Sequence, residues 1–132
     1  MRRKYAMAAV AAVTIGGLAC GSSTDYGGGG GGGNNPPQAD VLEVPGASTK
    51  TTTAFNPNPF TVALGGGASV NVKWGNADNT SHHIVEDGAS PSFNSGTMDP
   101  GSTFTHAFTA AGTYNYHCTI HPNMVGTIQV NQ

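Results

Sequence analysis

A short segment near the C-terminus combines three side chains that bind soft metal ions. Cys118, His121 and Met124 follow one another at the spacing C-x2-H-x2-M. A thiolate and a thioether are soft ligands and an imidazole suits copper well, so this set favours copper over magnesium, calcium or manganese. A copper site built from one cysteine and one methionine also needs two histidines. The segment therefore predicts that a second histidine comes from elsewhere in the chain.

The candidates for this second histidine lie about 35 residues upstream. His82 and His83 are adjacent in a segment that continues into the apolar pair Ile84 and Val85. Successive side chains of a strand point to opposite faces, so only one of the two histidines can reach a common ion. His82 shares its face with Ile84, which has the character of a core residue.

With a histidine upstream of C-x2-H-x2-M, residues 40–132 resemble the cupredoxin family of small blue copper proteins. The loop from Cys118 to Met124 is most similar to that of amicyanin, whereas plastocyanin-like loops are longer. The resemblance implies one type 1 copper ion per chain. Its ligands are then His82, Cys118, His121 and Met124, because the family motif of histidine, polar residue and apolar residue aligns on His82. Met124 is the axial ligand by this resemblance.

The resemblance also predicts the surroundings of the copper. His83 takes the place where many cupredoxins carry an asparagine whose contacts stiffen the site. His121 is expected close to the surface within an apolar edge formed by Ile120, Pro122 and Met98, where a redox partner would dock. Two further histidines, at positions 106 and 117, are not expected to be ligands.

The sequence of residues 40–132 predicts short strands separated by turns that contain glycine and proline. Alternating or extended segments are found at residues 41–44, 51–55, 60–64, 69–74, 82–86, 103–109, 113–118 and 125–130. This pattern predicts an all-β sandwich, and the resemblance implies a Greek-key β-sandwich of about seven to eight strands. Tyr114, Tyr116 and Cys118 share one face by alternation, which predicts that the thiol points inward.

The first residues are typical of an export signal. A basic start at Arg2–Lys4 is followed by the apolar residues 6–18, so residues 1–19 are predicted to be a signal peptide of the lipoprotein type. Cys20 directly follows Gly-Leu-Ala, which resembles a bacterial lipobox in which the cysteine is lipidated and anchors the protein to a membrane. An ordinary secretory peptide cleaved nearby is the alternative.

Residues 20–39 are dominated by glycine and lack the apolar side chains that a core requires. Such a segment behaves as a flexible tether with an average span of roughly 20–25 Å. Residues 40–132 then form the cupredoxin domain, and the protein is predicted to be exported, either periplasmic or anchored to the outer face of a membrane.

Charge argues against one class of function, and the cysteine content favours a metal site. Without the signal peptide, the chain has seven acidic residues and only two basic ones, Lys50 and Lys73, so its net charge is −5. This acidic balance argues against a nucleic-acid binder. If Cys20 is lipidated, Cys118 has no disulfide partner, and metal ligation explains a free thiol in an exported protein.

Four interpretations of such a site are considered. The first is a monomeric electron carrier that cycles between Cu(II) and Cu(I) and serves redox partner proteins. The second is a copper-binding protein for copper handling or storage. An enzyme is not expected, since the His-x-His pairs of multicopper oxidases are absent from the sequence. Structural zinc is a weaker alternative, because zinc prefers cysteine and histidine ligands alone.

Overall fold

Two four-stranded sheets make up the fold of residues 36–132, the part of the chain that the computed structural model describes. The strands are β1 (Val41–Glu43), β2 (Phe55–Asn56), β3 (Phe60–Ala63), β4 (Val70–Asn76), β5 (Ile84–Glu86), β6 (Thr103–Phe108), β7 (Gly112–Cys118) and β8 (Val125–Asn131). This confirms the predicted all-β sandwich of seven to eight strands. The predicted signal peptide, Cys20 and residues 20–35 of the predicted tether lie outside the described residues.

The sheets have the orders β2-β1-β4-β6 and β3-β8-β7-β5. The pairs β1–β4 and β3–β8 are parallel, and the other neighbouring strands are antiparallel. Strands that are distant in sequence are therefore neighbours in each sheet. As a result β5, which follows the histidine pair, lies directly beside β7, which ends at Cys118.

An aromatic cluster fills the space between the two sheets. Trp74 of β4 is fully buried and packs edge-on against Tyr116 of β7, with ring centroids 5.8 Å apart. Phe93 and Phe108 pack on the same tryptophan. The cluster supports the predicted inward face of β7, because Tyr116 is 1% exposed and Cys118 is 0% exposed. Tyr114 is only partly buried at its edge.

Most strand boundaries differ from the sequence prediction by one or two residues, and β5 and β2 begin two or more residues later than predicted. The strand expected to begin at His82 begins at Ile84, and His82 instead forms an isolated bridge with Met98. Residues 51–54 are turn and bend rather than extended, so that β2 contains only two residues. A 3₁₀ helix at Ala47–Thr49 was not predicted.

Within residues 36–132, no helix has the length and apolar character needed to cross a membrane.

A glycine in β8 allows the aromatic cluster to pack closely. Gly126 lies opposite Tyr116 in the β7–β8 register, and a Cβ atom there would lie 2.3 Å from Cζ of that ring. We expect Gly126→Ala to lower the free energy of unfolding by about 1–3 kcal/mol, because overpacking forces the buried ring to move. Denaturant unfolding of the metal-free protein measures the loss.

Gly112→Ala is the matched control for this substitution. It lies in the paired strand β7, and its new Cβ atom would be 3.5 Å from the nearest atom of Tyr114, an ordinary contact distance. An equal loss of stability in both variants would contradict the role assigned to Gly126.

Candidate metal centre

Cys118 places a buried sulfur at the end of β7. Its main-chain N–H donates to the Met124 carbonyl at 3.0 Å, which closes the loop that follows the strand. The main-chain N–H of His83 lies 3.5 Å from the sulfur and donates to it. This contact ties the sulfur to the backbone of the histidine segment.

The loop between Cys118 and Met124 turns back on itself. The Met124 N–H donates to the His121 carbonyl at 2.9 Å, which closes a tight turn. This turn places Nδ1 of His121 3.7 Å from Sγ of Cys118. The Met124 side chain is fully buried, whereas His121 is partly exposed.

His82 reaches the same point from the opposite side. Its main chain exchanges two hydrogen bonds with Met98, of 3.0 and 2.7 Å, which hold it at the edge of the sandwich. Because Ile84 is paired with Cys118, His82 lies just beyond the end of β7. Its Nδ1 atom lies 3.7 Å from the sulfur and 3.2 Å from Nδ1 of His121.

The three donor atoms fit a single metal ion. All three lie within 4.8 Å of one another, and His82 and Cys118 are buried. Bonds of the lengths that zinc makes, about 2.0–2.1 Å to nitrogen and about 2.3 Å to sulfur, give separations of roughly 3.5 Å between two nitrogens and roughly 3.8 Å between nitrogen and sulfur in a trigonal arrangement. The two sulfur–nitrogen distances of 3.7 Å fit this arrangement, and the two nitrogens lie slightly closer, at 3.2 Å. One thiolate and two imidazoles in this geometry are the equatorial set of a type 1 copper site.

A buried carboxylate orients the His82 ring. Oδ2 of Asp78 lies 3.1 Å from Nε2 of His82, with both side chains almost completely buried. A ring nitrogen bonded to a carboxylate carries the proton, so the Nδ1 lone pair of His82 points towards Cys118 and His121. Burial lowers the pKa of His82, and Asp78 opposes that effect.

Asp78 itself is held by several donors. Its oxygens accept the main-chain N–H groups of Gly46 and Asn79, each at 2.8 Å, and the Thr80 hydroxyl at 3.1 Å. Burial alone would raise its pKa, but these bonds together with the one from His82 hold the pKa of Asp78 well below its usual range. The carboxylate is therefore charged and also ties the loop at Gly46 to the histidine segment.

His83 points away from the three donor atoms. Its Nε2 atom lies 2.6 Å from Oδ1 of Asn94 near the surface. Its main chain, however, donates to the Cys118 sulfur and accepts the Thr119 N–H at 2.8 Å. Residue 83 therefore contacts the site through its backbone, and the structure brings His82 rather than His83 to the cluster.

The other histidines lie apart from this cluster. His106 of β6 packs on Phe93 and Phe108, with ring centroids 5.3 and 4.7 Å away. His117 faces outward from β7 and bonds Asp87 through Nδ1.

The apolar edge around His121 is smaller than expected. Ile120 is 49% exposed and Pro122 is also exposed. Met98, which the resemblance suggested for this edge, is only 2% exposed and belongs to the core. The reason is its main-chain pairing with His82, which holds Met98 within the sandwich.

The structure adds two acidic residues that the sequence analysis missed. Asp78 precedes His82 by four residues, and a loop carboxylate at that distance was a detectable signal. Glu43 is fully buried, and neither of its carboxylate oxygens has a hydrogen-bond partner in the described part of the chain. Burial, with the charge of Asp78, raises the pKa of Glu43 to about 8. Its position on the Val41 face of β1 was the one sequence clue.

Comparisons with known proteins agree with this geometry. Residues 42–131 match the family of copper-binding proteins described as the plastocyanin/azurin family. A purple cupredoxin from Nitrosopumilus maritimus is 26% identical, with a TM-score of 0.62, over 70% of this chain and 99% of that one. An oxidised amicyanin variant is 22% identical, with a TM-score of 0.54, over 75% and 94% of the two chains, which shows the fold alone. The curated proteins give no match.

The fold and the three converging donors therefore define a cupredoxin. Because the family match spans most of the chain, this protein belongs to the copper-binding proteins of the plastocyanin/azurin family. Copper is its cofactor, and His82, Cys118 and His121, with Met124 following in the loop, are positioned as a type 1 copper site.

Adjacent histidines allow a direct test of the site. We expect His82→Ala to abolish the intense visible absorption that Cu(II) gives with the wild-type protein, because it removes the buried Nδ1 donor. His83→Ala is the matched control and should retain the band, because its backbone makes the contacts with Cys118 and Thr119. The reverse result would show that His83 is the ligand.

Glu43 predicts an unusual dependence of stability on pH. Because the folded state raises its pKa from 4.5 to about 8, folded protein binds more protons than unfolded protein between these values. Stability therefore falls as the pH rises from about 4.5 to about 8. We expect metal-free wild type to lose on the order of a few kcal/mol relative to Glu43→Gln across this range.

Urea unfolding of both metal-free proteins at a series of pH values measures this difference. Below about 4.5 and above about 8 the difference should be constant. Parallel stability curves throughout the range would show that Glu43 has an ordinary pKa.

Proposed function

We propose that this protein is a type 1 blue copper electron carrier. His82, Cys118 and His121 would hold the copper ion together with Met124, and copper would supply the Cu(II)/Cu(I) couple that carries one electron from one redox partner to another. The observation that carries the proposal is the convergence of one buried sulfur and two Nδ1 atoms within 3.2–3.7 Å.

The surroundings of these residues suit electron transfer. Copper supplies the Cu(II)/Cu(I) couple, and the protein supplies a rigid frame for it. Main-chain bonds to Met98 and Met124 hold His82 and Cys118 in place, and Asp78 fixes the His82 ring. A frame of this kind limits the rearrangement that accompanies a change of charge, and burial of the sulfur excludes water and competing thiol chemistry.

Electrons enter and leave at the His121 edge in this proposal. His121 is the only one of the three clustered donors with an exposed surface, and Ile120 beside it is 49% exposed. An apolar edge with a partly exposed ligand suits brief docking of a redox partner protein. The acidic balance of the chain is compatible with a basic partner surface, and the carrier is proposed to act as a monomer.

Export and anchoring complete the proposal. Residues 1–19 are proposed to direct export, lipidation of Cys20 to attach the protein to a membrane, and residues 20–39 to tether the copper domain. The carrier would then act in the periplasm or on the outer face of the membrane. The apolar run after Arg2–Lys4 and the cysteine that follows it support this assignment.

Copper handling or storage is the alternative, since the same ligands would serve it. Reversible redox cycling distinguishes the two functions, because a carrier must change oxidation state repeatedly without releasing its metal. No enzymatic activity is proposed. Among residues 36–132, one group of side chains has metal-binding geometry, namely His82, Cys118 and His121, whereas a multicopper oxidase requires additional copper sites.

Visible absorption of the full chain with one equivalent of Cu(II) tests the proposal. We expect an intense thiolate-to-copper band that bleaches with ascorbate and returns on reoxidation without loss of copper. Cys118→Ser should abolish the band and retain the β-sheet signal in circular dichroism, because the sulfur contributes the charge-transfer transition.

Two results would contradict the proposal. A band that persists in Cys118→Ser would exclude Cys118 as the thiolate ligand. Release of copper on each reduction would favour copper handling over electron transfer.

A further inference from the structure

Glu43 is a buried acid that is not one of the proposed copper ligands. It ends β1, with its side chain on the same inward face as Val41. It is 0% exposed, and both Oε atoms lack a hydrogen-bond partner among the described residues. An ionised carboxylate in such a place is very unfavourable, so the group holds a proton instead.

The neighbours of Glu43 explain when this proton leaves. Asp78, from the segment after β4, contributes a negative charge, and together burial and Asp78 raise the pKa of Glu43 to about 8. From β7, Tyr116 remains neutral because burial raises its own pKa. The neighbouring strand β2, Phe55–Asn56, has no ionisable side chain. Lys50 is bonded to the Pro45 carbonyl at the surface.

Asp78 connects Glu43 to the metal centre. The carboxylate whose charge acts on Glu43 also bonds Nε2 of His82 at 3.1 Å. Backbone contacts reinforce this connection, because the Glu43 carbonyl accepts the N–H of Ala77, the residue before Asp78, at 3.0 Å. Glu43 makes no hydrogen bond to any of the clustered donors, so it senses the site through charge rather than through ligation.

We propose that Glu43, near the pH at which it ionises, takes up a proton from solvent when the metal centre takes up one electron from a redox partner protein. This inference rests on the proposed carrier function. The electron converts Cu(II) to Cu(I), the proton forms an O–H bond on the Glu43 carboxylate, and both leave on reoxidation. In a molecule whose Glu43 is ionised before reduction, charge therefore balances without any other bond changing.

The driving force is electrostatic. Reduction removes one positive charge from a buried site next to Asp78, so the reduced protein favours a neutral Glu43 more strongly than the oxidised protein does. Coupling between two sites is reciprocal, so the proton on Glu43 must in turn favour the electron. The protein would then be a carrier whose reduction potential falls as Glu43 ionises.

Electrochemistry of the copper-loaded full chain tests the coupling. The reduction potential of wild type should fall as the pH rises through about 8. We expect the two redox states to differ on the order of tenfold in proton affinity, and each tenfold difference corresponds to 59 mV for a one-electron couple.

Two variants isolate Glu43 in this experiment. Glu43→Gln mimics the protonated acid, so its potential should stay at the low-pH wild-type value through the alkaline range. Glu86→Gln removes a carboxylate of the same type from β5, where it accepts the Ser92 N–H near the surface, and it should retain the wild-type pH dependence.

Infrared difference spectroscopy gives a second readout that needs no variant to fold. In wild type near pH 8, reduction should add the carbonyl band of a protonated carboxyl group. A pH-independent potential on both sides of pH 8, an unchanged pH dependence in Glu43→Gln, or no carboxyl band on reduction would overturn the inference. If the potential is independent of pH but the blue centre still cycles reversibly, the proposed carrier function stands and only the role of Glu43 is overturned. Loss of reversible cycling would overturn the carrier function itself.

Discussion

The structure depends on the burial of three electron-rich donors in one small volume. The sulfur of Cys118 and the Nδ1 atoms of His82 and His121 lie only 3.2–3.7 Å apart. Lone pairs at these distances are stabilised by a shared cation, and a metal that links segments 36 residues apart also stabilises the fold. The pairing of β5 with β7 and the closed loop after β7 both serve this convergence.

Asp78 links the copper site to the rest of the sandwich. Its carboxylate holds the His82 ring and, through the Gly46 N–H, the loop that follows β1. Asn76 acts beside it, with its side chain bonding the main chain of Thr80, Met98 and Asp78. Almost every polar group in this network has a hydrogen-bond partner. These bonds offset the cost of burying the Asp78 charge and hold the His82 ring rigid.

Glu43 differs from these groups, because its carboxylate has no such partner among residues 36–132. The carboxylate of Glu43 accepts no hydrogen bond in the described structure, and the charge of Asp78 acts on it. Its protonation state therefore depends on the electrostatic potential at its position. In a protein whose proposed task is to change charge by one electron, a buried group of this kind gives the interior a means of balancing that change with a proton. The carrier function and the proton site therefore arise from one electrostatic environment.

Local chemistry in the sequence was enough to predict the β-sandwich, the copper cofactor and the loop from Cys118 to Met124, because alternation, turn residues and ligand spacing are short-range properties. It also favoured His82 over His83 through the shared face with Ile84. Only the tertiary structure decided that Met98 is buried, that β5 begins at Ile84 and that Asp78 and Glu43 lie behind the site. Those features depend on which distant strands become neighbours, since burial and pKa are set by surroundings that no local pattern contains.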